Sequence, residues 1–198
     1  MADFSHAKAI YIDLEAQCWD GRPPEGYTNE IIQIGIAEAD LLNLKITRRS
    51  SYLVRPAKML ISPFCTELTG ITEKALRNQG RPFAERFRSL VKDYGPAHKL
   101  CLTWGSDQEP VAAACAAAGI PNPLNFLNLA WVYRCYFGIK RDVGLENALK
   151  SLGLEFEGRP HDAMWDANNT ARVHLALLRR MRSVGPIFIP EISDSGPQ

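Results

Sequence analysis

Three short stretches of this chain place acids at spacings that could do chemistry. The first is Asp13-Leu14-Glu15, which follows the apolar run Ala9-Ile10-Tyr11-Ile12. A strand repeats every two residues, so the two carboxylates project from one face, about 6.5 Å apart at about 3.3 Å per residue. Two anions held together where a buried apolar strand runs out repel each other, and a cation is the natural compensation. Hard divalent ions with oxygen ligands suit such a pair. The same pair on a solvent-facing strand end would need no ion, so it does not decide the matter alone.

The second stretch is His161-Asp162-Ala163-Met164-Trp165-Asp166. Gly158-Arg159-Pro160 puts His161 on a loop, and Asp166 falls on the first turns of a long helix, from which its carboxylate can point back to the sheet. His161 can then sit near that carboxylate. Taken alone, these are equally a surface histidine and a helix-start aspartate favoured by the helix dipole. The third stretch is Trp104-Gly105-Ser106-Asp107. A strand passing through a glycine turn into a helix puts Asp107 at the carboxyl end of the sheet, where α/β proteins keep their sites. Its plain alternative is helix capping. Together, three separated segments each bring an acid to the end of a buried element.

The elements that must position them are legible from periodicity. Residues 7–14 read as a strand, with Ile10 and Ile12 on one face and Tyr11 and Asp13 on the other. Residues 17–28 form a loop marked by Gly21, Pro23, Pro24 and Gly26. Residues 30–39 and 46–54 read as two strands of a meander joined by a short turn. Ser62 caps a helix with Pro63 at its first position and Gly70 closing it. Residues 82–94 put Phe83, Phe87, Leu90, Val91 and Tyr94 on one helical stripe. There follow a short strand at 99–103, a helix at 111–118, a strand at 124–129, and helices at 130–136 and 145–152. The long helix runs over 166–182, with Ala167, Ala171, Leu175 and Leu178 facing inward. Early strands followed by strands alternating with helices give an α/β fold with a mixed sheet. Residues 1–184 read as one domain and 185–198 as an extended tail.

The order Asp13/Glu15, Asp107, Asp166, with His161 five positions before the last, resembles the DEDDh family of 3′–5′ exonucleases. The resemblance is carried further by Asp13-Leu14-Glu15-Ala16-Gln17-Cys18-Trp19, Glu30-Ile31-Ile32-Gln33-Ile34-Gly35, Ser62-Pro63-Phe64-Cys65-Thr66-Glu67-Leu68-Thr69-Gly70-Ile71 and Gly158-Arg159-Pro160-His161-Asp162-Ala163. These look like the branch containing the histone-mRNA 3′-end exonuclease and bacterial exonucleases related to a sporulation-kinase-pathway inhibitor. One residue fewer than usual separates the Trp104-Gly105 pair from the third acid. Alignment from Trp104 puts Gln108 in the acid's place, whereas counting back from the helix, where Val111 begins the buried face, restores Asp107. Asp107 is favoured, with Glu109 as a substitute.

The resemblance implies a ribonuclease H-like mixed five-stranded sheet, a three-stranded antiparallel meander plus parallel strands, flanked by helices. It also implies two divalent ions, Mg²⁺ or Mn²⁺, bridged by Asp13 and completed by Glu15, Asp166 and Asp107. Such a pair serves both ends of an in-line phosphodiester displacement. His161 would be the general base, since imidazole titrates near the working pH. The expected activity is 3′–5′ trimming of single-stranded RNA, and of single-stranded DNA, to 5′-mononucleotides. Leu14, Ala16, Gln17, Trp19 and Leu68 are the residues expected to hold the terminal nucleotide, by stacking that tolerates any base. A DNA-proofreading exonuclease and a non-catalytic regulatory binding protein on the same fold are the alternatives.

Composition bounds the rest. The 198 residues carry 23 Lys plus Arg against 22 Asp plus Glu, a formal charge of +1 that argues against coating of long nucleic acid but not against gripping one end. A hydrophobic content of 46% excludes wholesale disorder. Neither a secretory leader nor a membrane span is expected. Cys18, Cys65, Cys101, Cys115 and Cys135 are scattered without a C-x-x-C pair and read as reduced thiols of a cytoplasmic protein. His6, His98 and His174 have no partner pattern. Arg172, Arg179, Arg180 and Arg182 read as the solvated face of the last helix, with phosphate contact by one of them as the alternative.

Overall fold

The computed structural model describes residues 8–96 and 99–183. His6, His98 and the tail at 185–198 lie outside the described residues. Strands β1 (Lys8–Ala16), β2 (Ile31–Asp40) and β3 (Lys45–Leu53) form an antiparallel meander. Strands β4 (Leu100–Thr103) and β5 (Asn125–Asn128) add parallel strands beyond β1 in the order β3-β2-β1-β4-β5. The helices are α1 (Pro63–Thr69), α2 (Glu73–Gln79), α3 (Phe83–Tyr94), α4 (Gln108–Ala117), α5 (Leu129–Phe137), α6 (Leu145–Ser151) and α7 (Ala163–Ser183).

Alternation along β1 sorts the core into two layers. Ile10 and Ile12 pack with Ile34 and Ile36 of β2 against Phe87, Leu90 and Tyr94 of α3 and Val111 and Cys115 of α4. On the other face Ala9, Tyr11, Ala37 and Ala39 meet Tyr133, Leu149 and the buried side of α7. Small residues on β2 let α7 lie close to the sheet. At Gly35 an added Cβ would come within 1.9 Å of the Ala163 carbonyl carbon, so only glycine permits this approach.

Several boundaries differ from the sequence expectation for local reasons. β1 runs two residues past Leu14, pairing Asp13 with Gly35 and Glu15 with Gln33, with an irregularity between Glu15 and Ala16. α7 begins at Ala163 rather than Asp166, because the Asp162 carboxylate accepts the Met164 N–H (3.1 Å) and its carbonyl accepts those of Trp165 and Asp166. The buried side of α7 is also broader than expected, taking in Asn168, Asn169, Thr170, Val173 and Leu177 but leaving Leu178 half-buried. α2 was not expected at all; Thr72 caps it through the Ala75 N–H, 3.1 Å away.

Candidate metal and catalytic site

The carboxyl end of β1 delivers Asp13 and Glu15 to the α7 face of the sheet, and the first turn of α7 delivers Asp166. Ligand oxygens of these three residues all lie within 4.8 Å of one another. Glu15 is buried, and Asp13 and Asp166 are half-buried. Among the described residues, no lysine or arginine forms an ion pair with these acids. Burial and mutual repulsion therefore act unopposed by a basic side chain. Burial first, then the carboxylates of Asp107, Asp166, Glu15 and Asp162, holds Asp13 well above the usual aspartate range. Burial, reinforced by Asp166, Asp162 and Asp107, pushes Glu15 up to about 7. An all-oxygen, anionic and uncompensated set of this kind fits a hard divalent ion such as Mg²⁺ or Mn²⁺.

Asp107 sits at the N-terminus of α4, just beyond β4. Its side chain makes no capping hydrogen bond to the helix, which leaves the carboxylate available to the cluster. Burial raises it to about 6, and its charge is felt at Asp13, Glu15 and Asp166. Glu109, the alternative third acid, is exposed and does not figure among the charges acting on the cluster.

His161 lies on the loop before α7 with its side chain exposed. Its φ of +59° is a left-handed conformation few non-glycine residues adopt. Its backbone N–H favours the ionised Asp166 carboxylate, which partly offsets the burial that lifts Asp166 to about 6. The loop is anchored at two points. Gly158 lies so close to the Trp165 ring that a Cβ would come within 2.1 Å. Arg159 donates to the carbonyls of Glu67 (2.6 Å) and Leu68 (3.2 Å) at the end of α1.

The residues nominated for the terminal nucleotide are not all alike. Leu68 and Trp19 are half-buried, on α1 and on the loop after β1. Trp19 packs edge-on against Tyr27, and its indole N–H is buried without a partner among the described residues. Ala16 ends β1, and Leu14 turns its side chain to the opposite, α3 layer of the sheet. Gln17 is fully buried; its amide donates to the carbonyls of Lys58 (2.8 Å) and Leu60 (2.9 Å), so it braces the segment leading into α1.

Sequence reasoning missed the residues that aim Asp166. Gln33 is buried, accepts the Ala163 N–H (3.1 Å) and donates to Asp162 (3.2 Å) and to Ser51 (3.0 Å), joining β2, β3 and the start of α7. A glutamine at an inward strand position is the signal that could have found it. His174, which has no partner pattern in the sequence, is half-buried: its Nδ1 is 2.7 Å from the Tyr11 hydroxyl, and burial lowers it to about 4.

Residues 10–174, from β1 into α7, match the family described as Exonuclease, RNase T type. The chain belongs to this exonuclease family. ERI1 exoribonuclease 2 of Xenopus laevis is 31% identical over 192 residues, spanning 83% of this chain and 27% of its own. The 3′-5′ exoribonuclease 1 of Mus musculus is 29% identical over 181 residues, spanning 85% of this chain and 52% of its own. This exonuclease chain thus spans roughly a quarter to a half of those relatives. The nuclease domain of 3′hExo, a DEDDh family member solved with bound rAMP, superposes with a TM-score of 0.81 at 26% identity, covering 90% of this chain and 95% of that one. The ribonuclease H-like mixed five-stranded sheet that the sequence motifs imply is the sheet observed. Among the described residues no helix is long and apolar enough to cross a membrane.

Proposed function

We propose that this chain is a metal-dependent 3′–5′ exonuclease that removes 5′-mononucleotides from the 3′ end of single-stranded RNA, and of single-stranded DNA. The observation that carries the proposal is the convergence of Asp13, Glu15 and Asp166 from β1 and α7 without a basic partner. In this reading Asp13, Glu15 and Asp166 would hold one divalent ion, and Asp107, whose charge is felt at all three, would help to hold a second. Such ions supply a nucleophilic water at neutral pH and offset charge on the leaving 3′ oxygen.

The chain's own groups do the rest. His161 takes the proton of the attacking water at an imidazole nitrogen, and its exposed loop position lets the ring reach a bound end. The His161 amide favours the ionised Asp166 carboxylate, and Gln33 and the Asp162 cap hold the start of α7. Trp19, Leu68 and the backbone of Leu14 and Ala16 hold the terminal nucleotide, while Gln17 supports the wall behind them. The rAMP bound to the similar 3′hExo domain favours a ribonucleotide end. The five free cysteines suit a reducing compartment, and we place the activity in the cytoplasm. Residues 1–184 form the catalytic unit, with 185–198 as an appended tail.

The test uses single-stranded RNA and DNA labelled at the 5′ end, with Mn²⁺, Mg²⁺ or EDTA. Stepwise shortening from the 3′ end that EDTA abolishes is expected, strongest on RNA. Shortening of DNA alone would indicate a DNA-trimming enzyme. Binding without shortening would indicate a regulatory protein, and shortening in EDTA would overturn the metal assignment.

A further inference from the structure

A groove of about 580 Å³ runs between β3 and α7, lined by Thr47, Arg49, Glu157, Asn168, Arg172 and Arg179. Lys45 adds a fourth cation at its rim, against the single carboxylate of Glu157. Arg48 also borders it but turns its guanidinium over the Tyr94 ring, 3.8 Å from the centroid. Asn168, Arg172, Leu175 and Arg179 follow the i, i+4, i+7, i+11 spacing of one helical stripe facing β3. Asp166 is two residues from Asn168, about 200° around the helix. The groove and the carboxylates therefore flank α7 on opposite sides.

They meet at its N-terminus. There Gln33 bonds both Asp162 and Ser51 of β3, and the Arg49 guanidinium lies 5.1 Å from the Trp165 ring. A chain leaving the carboxylates can round the first turn of α7 past the Arg49–Trp165 contact and enter the groove, whose floor is partly apolar (Leu154 and Leu175). Arg49 uses one N–H on Asn168 (3.3 Å), and Arg179 one on the Leu44 carbonyl (2.9 Å). The remaining donors of both forks are unpaired among the described residues, in the planar arrangement that suits phosphate. Arg172 is fixed by Glu157 (3.2 Å) and the Glu155 carbonyl (2.6 Å). Basic residues on an edge strand such as β3 can serve only to discourage strand pairing. Arg172 and Arg179 come from α7 and have no such task.

We propose that this groove binds the phosphodiester backbone of the substrate strand upstream of the 3′ end being trimmed. The inference rests on the exonuclease reading for the identity of its ligand. Asp166 to Arg179 spans about 20 Å of helix axis, or about six nucleotides at the roughly 3.4 Å spacing of a stacked strand. A dinucleotide cannot bridge both places, whereas a strand of about 12 nucleotides can. The contacts are to phosphate, so they add affinity without sequence preference.

The experiment compares wild type with R49Q/R179Q, and with K45Q as a second, packing-neutral variant at an exposed position. It measures kcat/KM on a dinucleotide and on a single-stranded RNA of about 12 nucleotides, and binding of the fluorescein-labelled longer RNA in EDTA across a salt series. For R49Q/R179Q the ratio of long to short kcat/KM should fall about tenfold at low salt. The slope of log K against log salt should shrink by about 1.4, from about 0.7 per phosphate lost; K45Q should show half that change. An unchanged ratio and slope overturn the groove even if both RNAs are trimmed. If wild type binds the long RNA with the Arg-dependent slope but hydrolyses neither substrate, the groove stands and the exonuclease reading falls.

Discussion

Replacing Glu15 by glutamine should make the metal-free protein more stable while removing its ability to be stabilised by metal. The folded Glu15 carboxyl titrates near 7, against 4.5 for an ordinary glutamate, because it is buried beside Asp166, Asp162 and Asp107. Its pKa is raised on folding, so between about pH 4.5 and 7 the unfolded chain loses this proton first. Stability of the metal-free protein therefore falls as pH climbs through that window and carries the full penalty above it. A shift of this size corresponds to about 3 kcal/mol at the extreme. Water in the cleft and relaxation of neighbouring acids leave about 1–2 kcal/mol for the variant to recover. In a chain of this length that is a rise of about 2–8 °C in Tm. The assay is thermal unfolding in EDTA at pH 8 and at pH 4, then at pH 8 with Mn²⁺. Glu15→Gln should exceed wild type at pH 8 in EDTA, match it at pH 4, and fall below it once Mn²⁺ stabilises only the wild type. A variant no more stable than wild type at pH 8 without metal, or equally stabilised at both pH values, would refute the claim that uncompensated repulsion is stored in this cluster.

Three further outcomes are expected. His161→Ala should slow single-turnover hydrolysis by about 10²–10⁴-fold while keeping the Mn²⁺-induced rise in Tm; an unaltered rate removes it as the base. Asp107→Asn should lose metal-dependent hydrolysis and Glu109→Gln should keep wild-type turnover, and the reverse result would reassign the third acid. Gly35→Ala should cost about 1–3 kcal/mol by forcing the start of α7 away from β2, and the Mn²⁺-dependent Tm rise should shrink as Asp166 moves with it; a full metal response would show that the close approach does not aim Asp166.

The acids were legible because a strand and a helix terminus are local features. Asp13 and Glu15 had to share a face from their spacing alone, and Asp107 had to follow a glycine turn. What was not legible is how those elements approach one another. Nothing in the local pattern says that Gly35 faces the Ala163 carbonyl, or that Gln33 ties β2 to both Asp162 and Ser51. The contacts to Asp162 and Ala163 join residues more than a hundred positions apart, where no periodicity operates. The start of α7 was misplaced for a related reason. Asp162 was given no part in the helix start, whereas its carboxylate oxygen caps the helix. That Arg172 and Arg179 line a groove with β3 was likewise not legible, because β3 is distant in sequence.

Arg159 couples two parts of the molecule that have separate roles. The turn bearing His161 and the short helix bearing Leu68 are latched by one guanidinium on the carbonyls of Glu67 and Leu68. Gly70 leaves room for that guanidinium, since a Cβ there would come within 2.1 Å of it. In the proposed reading, the proton acceptor and the wall against the last base are consequently braced as one unit. In that reading, a movement of either segment that breaks the Arg159 contacts frees the other as well.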